Sequence, residues 1–159
     1  MILTNMSEKD EFFRYFREIQ VKFSRFYTQL LTREDLTLPQ YALLNELSRS
    51  GSMSMTDASA RLFISKPAIT NLVDKLEENK FLKREADPKD RRIYLLEIQG
   101  KGKRIVQEVQ NQVFKYLVGI LDQFKESDRR VIINFYASIA NTMDEFLMKT
   151  AKTGANERE

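Results

Sequence analysis

Apolar side chains follow a helical beat at both ends of this chain and break from it once, in the middle. Across residues 8–31, Phe12, Phe16, Ile19, Phe23, Phe26 and Leu30 recur at alternating steps of four and three. That spacing lines one face of a helix in heptad fashion. Phe13, Tyr15, Tyr27 and Leu31 widen the face beyond what one partner helix covers. It serves either the monomer's own core or a second subunit. A second helix is predicted after Thr37, its N-cap, with Pro39 in the first turn and Tyr41, Leu43, Leu44 and Leu47 on the buried face. Gly51 is a fitting residue to close it. Helical period returns over 103–125 with Val106, Val109, Val113, Leu117, Ile120, Leu121 and Phe124. It resumes after Ser127-Asp128 with Val131, Ile132, Phe135, Ile139, Met143, Phe146 and Leu147. Gln99-Gly100-Lys101-Gly102 is predicted to break the strand that precedes the first of these two helices, and the polar tail 149–159 to fray.

The middle stretch, 54–98, has a different organisation. Ser54-Met55-Thr56-Asp57 has the form of a capping box with Asp in place of Glu, opening a short helix to residue 62. Ala58, Ala60 and Leu62 allow that helix to pack closely. Phe63-Ile64 makes a turn, and Ser65 caps the next helix with Pro67 in its first turn. There Ile69, Leu72, Val73 and Leu76 form one stripe, while Pro67, Thr70, Asn71, Asp74 and Lys75 lie off it. The last turn, Glu77-Glu78-Asn79-Lys80, is polar. A short helix with a small, polar, partly cationic outer face suits a helix-turn-helix that reads the major groove. Residues 81–85 and 93–98 read as two strands around a charged turn, 86–92. The tip of that hairpin carries Lys89, Arg91 and Arg92. Arg is favoured in the minor groove and at its phosphates. Asp90 is placed to hold the Arg92 guanidinium by a charge-assisted hydrogen bond. A plain polar hairpin turn is the competing interpretation, and the preceding helix pair argues against it.

Composition changes this picture in two ways. The formal charge of the 159 residues is only +3. Between Arg61 and Arg104, however, 12 Lys and Arg face 7 Asp and Glu, a local +5 that leaves −2 for all other residues. Positive charge is gathered around the reading element, as phosphate contact requires. The chain has no Cys and no His. Disulfides, thiol nucleophiles and imidazole bases are therefore excluded, and carboxylates alone make a poor zinc site. Neither a nucleophile–base pair nor a Gly-rich phosphate loop appears, so no catalytic residue, cofactor or metal is expected. No apolar run is long enough to span a membrane, and MILTNMSEKDEFF lacks the form of a signal peptide. A cytoplasmic protein is expected.

The fold class expected is mainly α with a small β-hairpin. Residues 1–159 form one domain, with a winged helix-turn-helix lobe at 36–99. Helices at 8–35 and 100–150 exceed what so small a lobe needs, which points to a dimerisation region assembled from both chain termini.

The order of elements resembles the MarR family (multiple antibiotic resistance regulators). Ser65-Lys66-Pro67-Ala68-Ile69-Thr70-Asn71-Leu72-Val73-Asp74-Lys75-Leu76-Glu77 and Asp87-Pro88-Lys89-Asp90-Arg91-Arg92 carry the likeness, with Leu96 completing an Asp-x-Arg-x-x-x-Leu pattern. The resemblance implies a homodimeric transcriptional regulator on a palindromic operator of double-stranded DNA, commonly a repressor. Carried over by position, Lys66, Pro67, Thr70, Asn71 and Lys75 contact the groove and Ser65 a phosphate. Lys89, Arg91 and Arg92 serve the wing, with Asp90 orienting Arg92. Many members release DNA when a small lipophilic or aromatic anion enters a crevice beside the dimer helices. Phe16, Phe23 and Tyr41 are aromatic residues suited to such a crevice, and at helical spacing equally suited to plain core. Branches that sense peroxide by a cysteine, or bind zinc by His and Cys, use residues missing here. The alternative is a winged-helix protein-interaction module without specific DNA binding.

Overall fold

The computed structural model describes residues 7–156. The chain divides into two units, Met1–Asn111 and Gln112–Glu159. The first contains α1 (Glu8–Thr32), α2 (Leu38–Ser50), β1 (Met53–Ser54), α3 (Met55–Leu62), α4 (Lys66–Glu78), β2 (Leu82–Ala86) and β3 (Tyr94–Ile98). Helix α5 (Gly100–Leu121) begins in the first unit and ends in the second, which also holds α6 (Glu126–Asn156).

Local chemistry starts the helices where the side chains direct. Ser7 Oγ accepts the Asp10 N–H at 3.2 Å, while the Asp10 carboxylate accepts the Ser7 N–H at 3.3 Å. Gln40 Oε1 accepts the Thr37 N–H at 2.8 Å and the Thr37 hydroxyl at 2.9 Å. Ser54 Oγ accepts from the Asp57 N–H at 3.1 Å, and Ser65 Oγ from the Ala68 N–H at 3.4 Å. Each satisfies a donor that the first turn of a helix leaves orphaned. Gly51 closes α2 at φ 80°, a left-handed value that a side chain resists.

The apolar stripes of the first unit converge. Leu43, Leu44 and Leu47 of α2 and Ile69, Val73 and Leu76 of α4 are buried, as are Phe81, Leu82, Leu96 and Ile98 of the sheet region. Ile105, Val106 and Val109 add the first half of α5, and Leu31 anchors the end of α1. The sheet has three antiparallel strands in the order β1-β3-β2. Met53 faces Leu96 in register, and Arg84 faces Leu96 from the other side. The expected hairpin is β2–β3; β1 is an addition. Two residues cannot display an alternating period, so β1 exists only through its partner strand.

The strand β3 ends at Ile98, as the Gln99-Gly100-Lys101-Gly102 stretch predicts, but helix α5 starts at Gly100 rather than at residue 103. The Gln99 N–H donates to the Phe81 carbonyl at 2.9 Å, and the Gln99 carbonyl accepts the Lys103 N–H at 2.9 Å. A Cβ on Gly102 would lie 2.3 Å from the Phe81 carbonyl oxygen. Gly102 thus marks a close approach of helix to backbone rather than a turn.

In the second unit, α6 is helical through Asn156, so much of the stretch expected to fray is helix. Residues 1–6 and 157–159 lie outside the described residues. Ile132 and Ile139 are half-buried, and no described side chain of α6 is fully buried. Arg129 closes the α5–α6 turn, its Nε donating to the Phe124 carbonyl at 2.8 Å and its guanidinium pairing with Asp122 at 3.4 Å. Among the described residues no helix is long and apolar enough to cross a membrane.

Candidate nucleic-acid interface

The turn between α3 and α4 is made by Phe63 in the left-handed region, at φ 53°. The Phe63 N–H donates to the Ala60 carbonyl at 3.3 Å and the Ile64 N–H to the Ser59 carbonyl at 3.2 Å. The Ser59 hydroxyl donates to the Ile64 carbonyl at 2.6 Å. These bonds cap the end of α3 and launch α4 across it. Glu46 fastens α3 to α2. Its carboxylate accepts from Arg61 at 2.5 Å, Arg49 at 3.1 Å and the Ser50 hydroxyl at 3.0 Å. Burial pushes the Glu46 carboxyl up, but the bonds from Arg61, Arg49 and Ser50 outweigh it and hold the group below its ordinary value.

With Ile69, Val73 and Leu76 buried, α4 turns Ser65, Lys66, Pro67, Thr70, Asn71, Asp74 and Lys75 to solvent. The Thr70 hydroxyl donates to the Lys66 carbonyl at 2.9 Å, which leaves its oxygen as an acceptor. Among the described residues, the side chains of Lys66, Asn71 and Lys75 make no hydrogen bond or ion pair. The predicted contact residues therefore share one accessible face and start from the capped end of the helix.

The hairpin tip is shaped by its two aspartates. Asp87 Oδ1 accepts the Lys89 N–H at 2.7 Å, and Asp90 Oδ1 accepts the Arg92 N–H at 3.0 Å. The Asp87 N–H donates to the Ile93 carbonyl, and the Ile93 N–H to the Asp90 carbonyl, both at 2.9 Å. The expected bond from Asp90 to the Arg92 guanidinium is replaced by one to the Arg92 main chain. An Asp reaches the N–H two residues on without stretching, and the long side chain is left outside. Lys89, Arg91 and Arg92 are all exposed, and among the described residues none takes part in an ion pair.

Sequence reasoning missed the group that joins these two elements. Arg84 of β2 sits between them, its side chain 24% exposed. Its Nη1 pairs with Glu77 Oε2 at 2.6 Å, and its main-chain N–H donates to Glu77 Oε1 at 2.8 Å. Its other terminal nitrogen bonds the Asp74 carboxylate. Burial disfavours the charged guanidinium, but Asp74 and Glu77 more than offset it and hold the group above its ordinary pKa. Glu77 belongs to a turn that looked merely polar in sequence. The signal for the pairing lay in the opposite charges on a helix end and the strand after it.

The candidate crevice aromatics are packed on their neighbours. Tyr41 is 7% exposed, its ring centroid 5.9 Å from that of Tyr27. Burial, then Tyr27, raises its hydroxyl to about 12. Phe16 stacks on Phe13 at 6.1 Å, and Phe23 meets Phe26 edge-on at 6.4 Å.

Residues 34–93 match the model of the MarR family. The matched segment runs from the loop before α2 to the end of the wing tip, so it contains every predicted DNA contact and the Arg84 brace. YsmB of Bacillus subtilis (strain 168), named as an uncharacterised HTH-type transcriptional regulator, is 28% identical over 100 residues. That alignment covers 63% of this chain and 68% of YsmB. A MarR family protein from Bacillus stearothermophilus shares the fold at a TM-score of 0.74 and 23% identity, over 91% of this chain and 99% of that one. The DNA complex of MepR from Staphylococcus aureus shares it at a TM-score of 0.61 and 20% identity, over 82% of this chain and 96% of MepR. The helix-turn-helix with its hairpin thus has the winged-helix fold of these structures.

Proposed function

We propose that this chain is a regulator of the MarR family, a homodimer that binds, sequence-specifically, a palindromic operator in double-stranded DNA and controls transcription there. The observation that carries the reading is the pair of unengaged polar and cationic surfaces on one lobe, the outer face of α4 and the tip of the wing. In this reading α4 enters the major groove. Asn71 suits an adenine edge, and Lys66 suits guanine or phosphate. Ser65 bonds a phosphate at the capped helix start, where the backbone N–H groups also favour an anion. Pro67, Thr70 and Lys75 complete the groove face. Lys89, Arg91 and Arg92 reach the minor groove or its phosphates, and Asp90 keeps the turn in the shape that presents them. YsmB's name and the MepR–DNA complex point the same way.

Homodimerisation rests on apolar surface that the single chain leaves open. Phe12, Phe13 and Ile19 of α1 are exposed, and so, separately, are Phe114 of α5 and Val131 and Tyr136 of α6. Phe12 and Ile19 lie on one heptad-spaced row of α1, and an exposed apolar row of this kind marks an interface. We assign the helices at 8–35 and 100–150 to it and the lobe at 36–99 to DNA. A two-fold dimer spaces its reading helices for half-sites about 10 bp apart. Repression follows from occupying the operator, in the cytoplasm. A small lipophilic or aromatic effector that prefers a dimer with the wrong helix spacing releases the DNA by population shift. The reading assigns the chain no catalytic step.

Phe63, Ile93 and Tyr94 are exposed around the same lobe, and they favour a second reading in which the winged helix docks on a protein. Binding of the purified protein to DNA flanking its own gene, against scrambled DNA across a salt series, separates the two. A selective complex of one dimer per site that weakens linearly with log salt is expected. Asn71→Ala then narrows the gap between operator and random DNA by about 1–3 kcal/mol. Absence of selectivity at every salt concentration overturns the regulator reading in favour of protein docking.

A further inference from the structure

We infer that Arg84 is a positioning residue that locks the wing to the reading helix, so that the two DNA contacts move as one body. Only Asn79-Lys80-Phe81 connects α4 to β2, and Lys80 sits there at φ 61°. A tight turn fixes where the strand starts more firmly than where the distant tip points. The hairpin carries its cations at residues 89–92, well beyond that turn. Leu82, Leu96 and Ile98 bury the base of the hairpin, and Arg84 adds a directional restraint from the middle of β2. Its main-chain N–H and one guanidinium nitrogen grip both oxygens of Glu77, and its second terminal nitrogen takes Asp74. Asp74 and Glu77 lie one turn apart on α4, so the planar guanidinium spans two points of the helix and resists rotation as well as translation. Asp74 in turn follows Thr70 and Asn71 at four and three residues, on the exposed face. The brace therefore ends beside the groove-reading side chains.

Lys83, the neighbouring cation on the same strand, provides the contrast. It pairs with Glu85 at 2.7 Å and Glu97 at 3.0 Å, both within the sheet, and touches no acid of α4. Lys83→Gln and Arg84→Gln remove the same charge from adjacent positions, but only the second removes the side-chain tie to the helix, leaving the main-chain N–H bond to Glu77.

The role presupposes the DNA reading above. The test uses the full-length dimer on the operator fragment with wild type, Lys83→Gln, Arg84→Gln, Arg84→Lys, Arg92→Ala and the double variant Arg84→Gln/Arg92→Ala. Arg84→Gln is expected to weaken binding about tenfold more than Lys83→Gln. The penalty for Arg92→Ala is expected to shrink by about threefold or more in the Arg84→Gln background, since a wing that is already misplaced has less to lose. Arg84→Lys, which reaches one carboxylate, restores part of that coupling. Equal losses for Arg84→Gln and Lys83→Gln, or losses that simply multiply, overturn the proposal and reduce Arg84 to bulk charge. Hydrogen exchange of the free protein reads the brace without DNA. Faster exchange of β2–β3 amides in Arg84→Gln with α4 amides unchanged supports it, and unaltered wing exchange overturns it. If wild type selects no DNA, the regulator reading fails while the exchange result still decides the brace. Should Arg84→Gln not fold, Glu77→Gln loosens the same grip and is expected to shift exchange and affinity in the same direction by less.

Discussion

The lobe built from α2, α3, α4 and the sheet differs from α6 in how its apolar positions are used. In the lobe, the stripes of α2 and α4 meet each other and the sheet, so Leu44, Leu47, Val73, Leu76 and Leu82 are sealed from water. In α6 a stripe of the same spacing runs from Val131 to Leu147 without a single fully buried described side chain. Val131 is 67% exposed. Burial of apolar area drives folding of the first and is left undone in the second. The same periodicity thus serves an internal core in one region and leaves apolar surface open in the other. On the proposed reading, that open surface is where the second subunit packs.

The sharpest way to break that contrast is to charge the open stripe. Val131→Asp is expected to destabilise the proposed dimer by about 4 kcal/mol, the order of an uncompensated buried charge. Sedimentation at a series of concentrations will show monomer, with helical content near wild type. An unchanged dimer would mean that α6 is not in the interface.

Leu76→Ala strikes the sealed side instead. Truncating a fully buried leucine is expected to lower the lobe's stability by about 3 kcal/mol, seen as a lower denaturant midpoint, while the association state at native conditions persists. A loss below about 1 kcal/mol would deny the lobe its close packing.

Glu46→Gln tests the polar clamp within the lobe at about 1 kcal/mol, a modest size because Arg49 and Arg61 are largely solvated. The folded carboxyl lies below its ordinary value of 4.5. Its stabilisation is therefore complete above that value and is lost as pH falls through the lower folded pKa. The melting temperatures of wild type and Glu46→Gln should differ at neutral pH and converge in acid below 4.5. A gap that persists at low pH would assign the effect to packing.

Phe63→Gly runs the other way. The left-handed conformation at φ 53° costs a side chain about 1 kcal/mol that glycine avoids. The ring is 64% exposed and gives up little burial. A rise in stability of about 1 kcal/mol is expected in thermal melts. A fall would show that the ring packs on something the open turn conceals.

Much of this was legible from local chemistry. Thr37, Ser54 and Ser65 were identifiable as caps because a capping side chain acts within three residues. The face of α4 followed from Ile69, Val73 and Leu76 alone, since helical geometry leaves Lys66, Thr70 and Asn71 on the other side. The signals that failed were of another kind. Gly100 and Gly102 mark the end of β3, but composition cannot report that they also open α5, with the Phe81 carbonyl lying against Gly102. Asp90 was assigned to the wrong group of the right residue, since charge suggests the guanidinium while the turn offers the nearer main-chain donor.

By itself, then, the sequence determined the helices, the starts of α2, α3 and α4, the hairpin and the side chains of α4 that face outward, all settled by interactions within a few residues. Tertiary structure decided what lies seven or more residues apart. It paired Met53 with Leu96, pressed Gly102 against Phe81 and closed Arg84 on Asp74 and Glu77. Such pairings depend on where the elements come to rest, and one chain's periodicity holds no record of that.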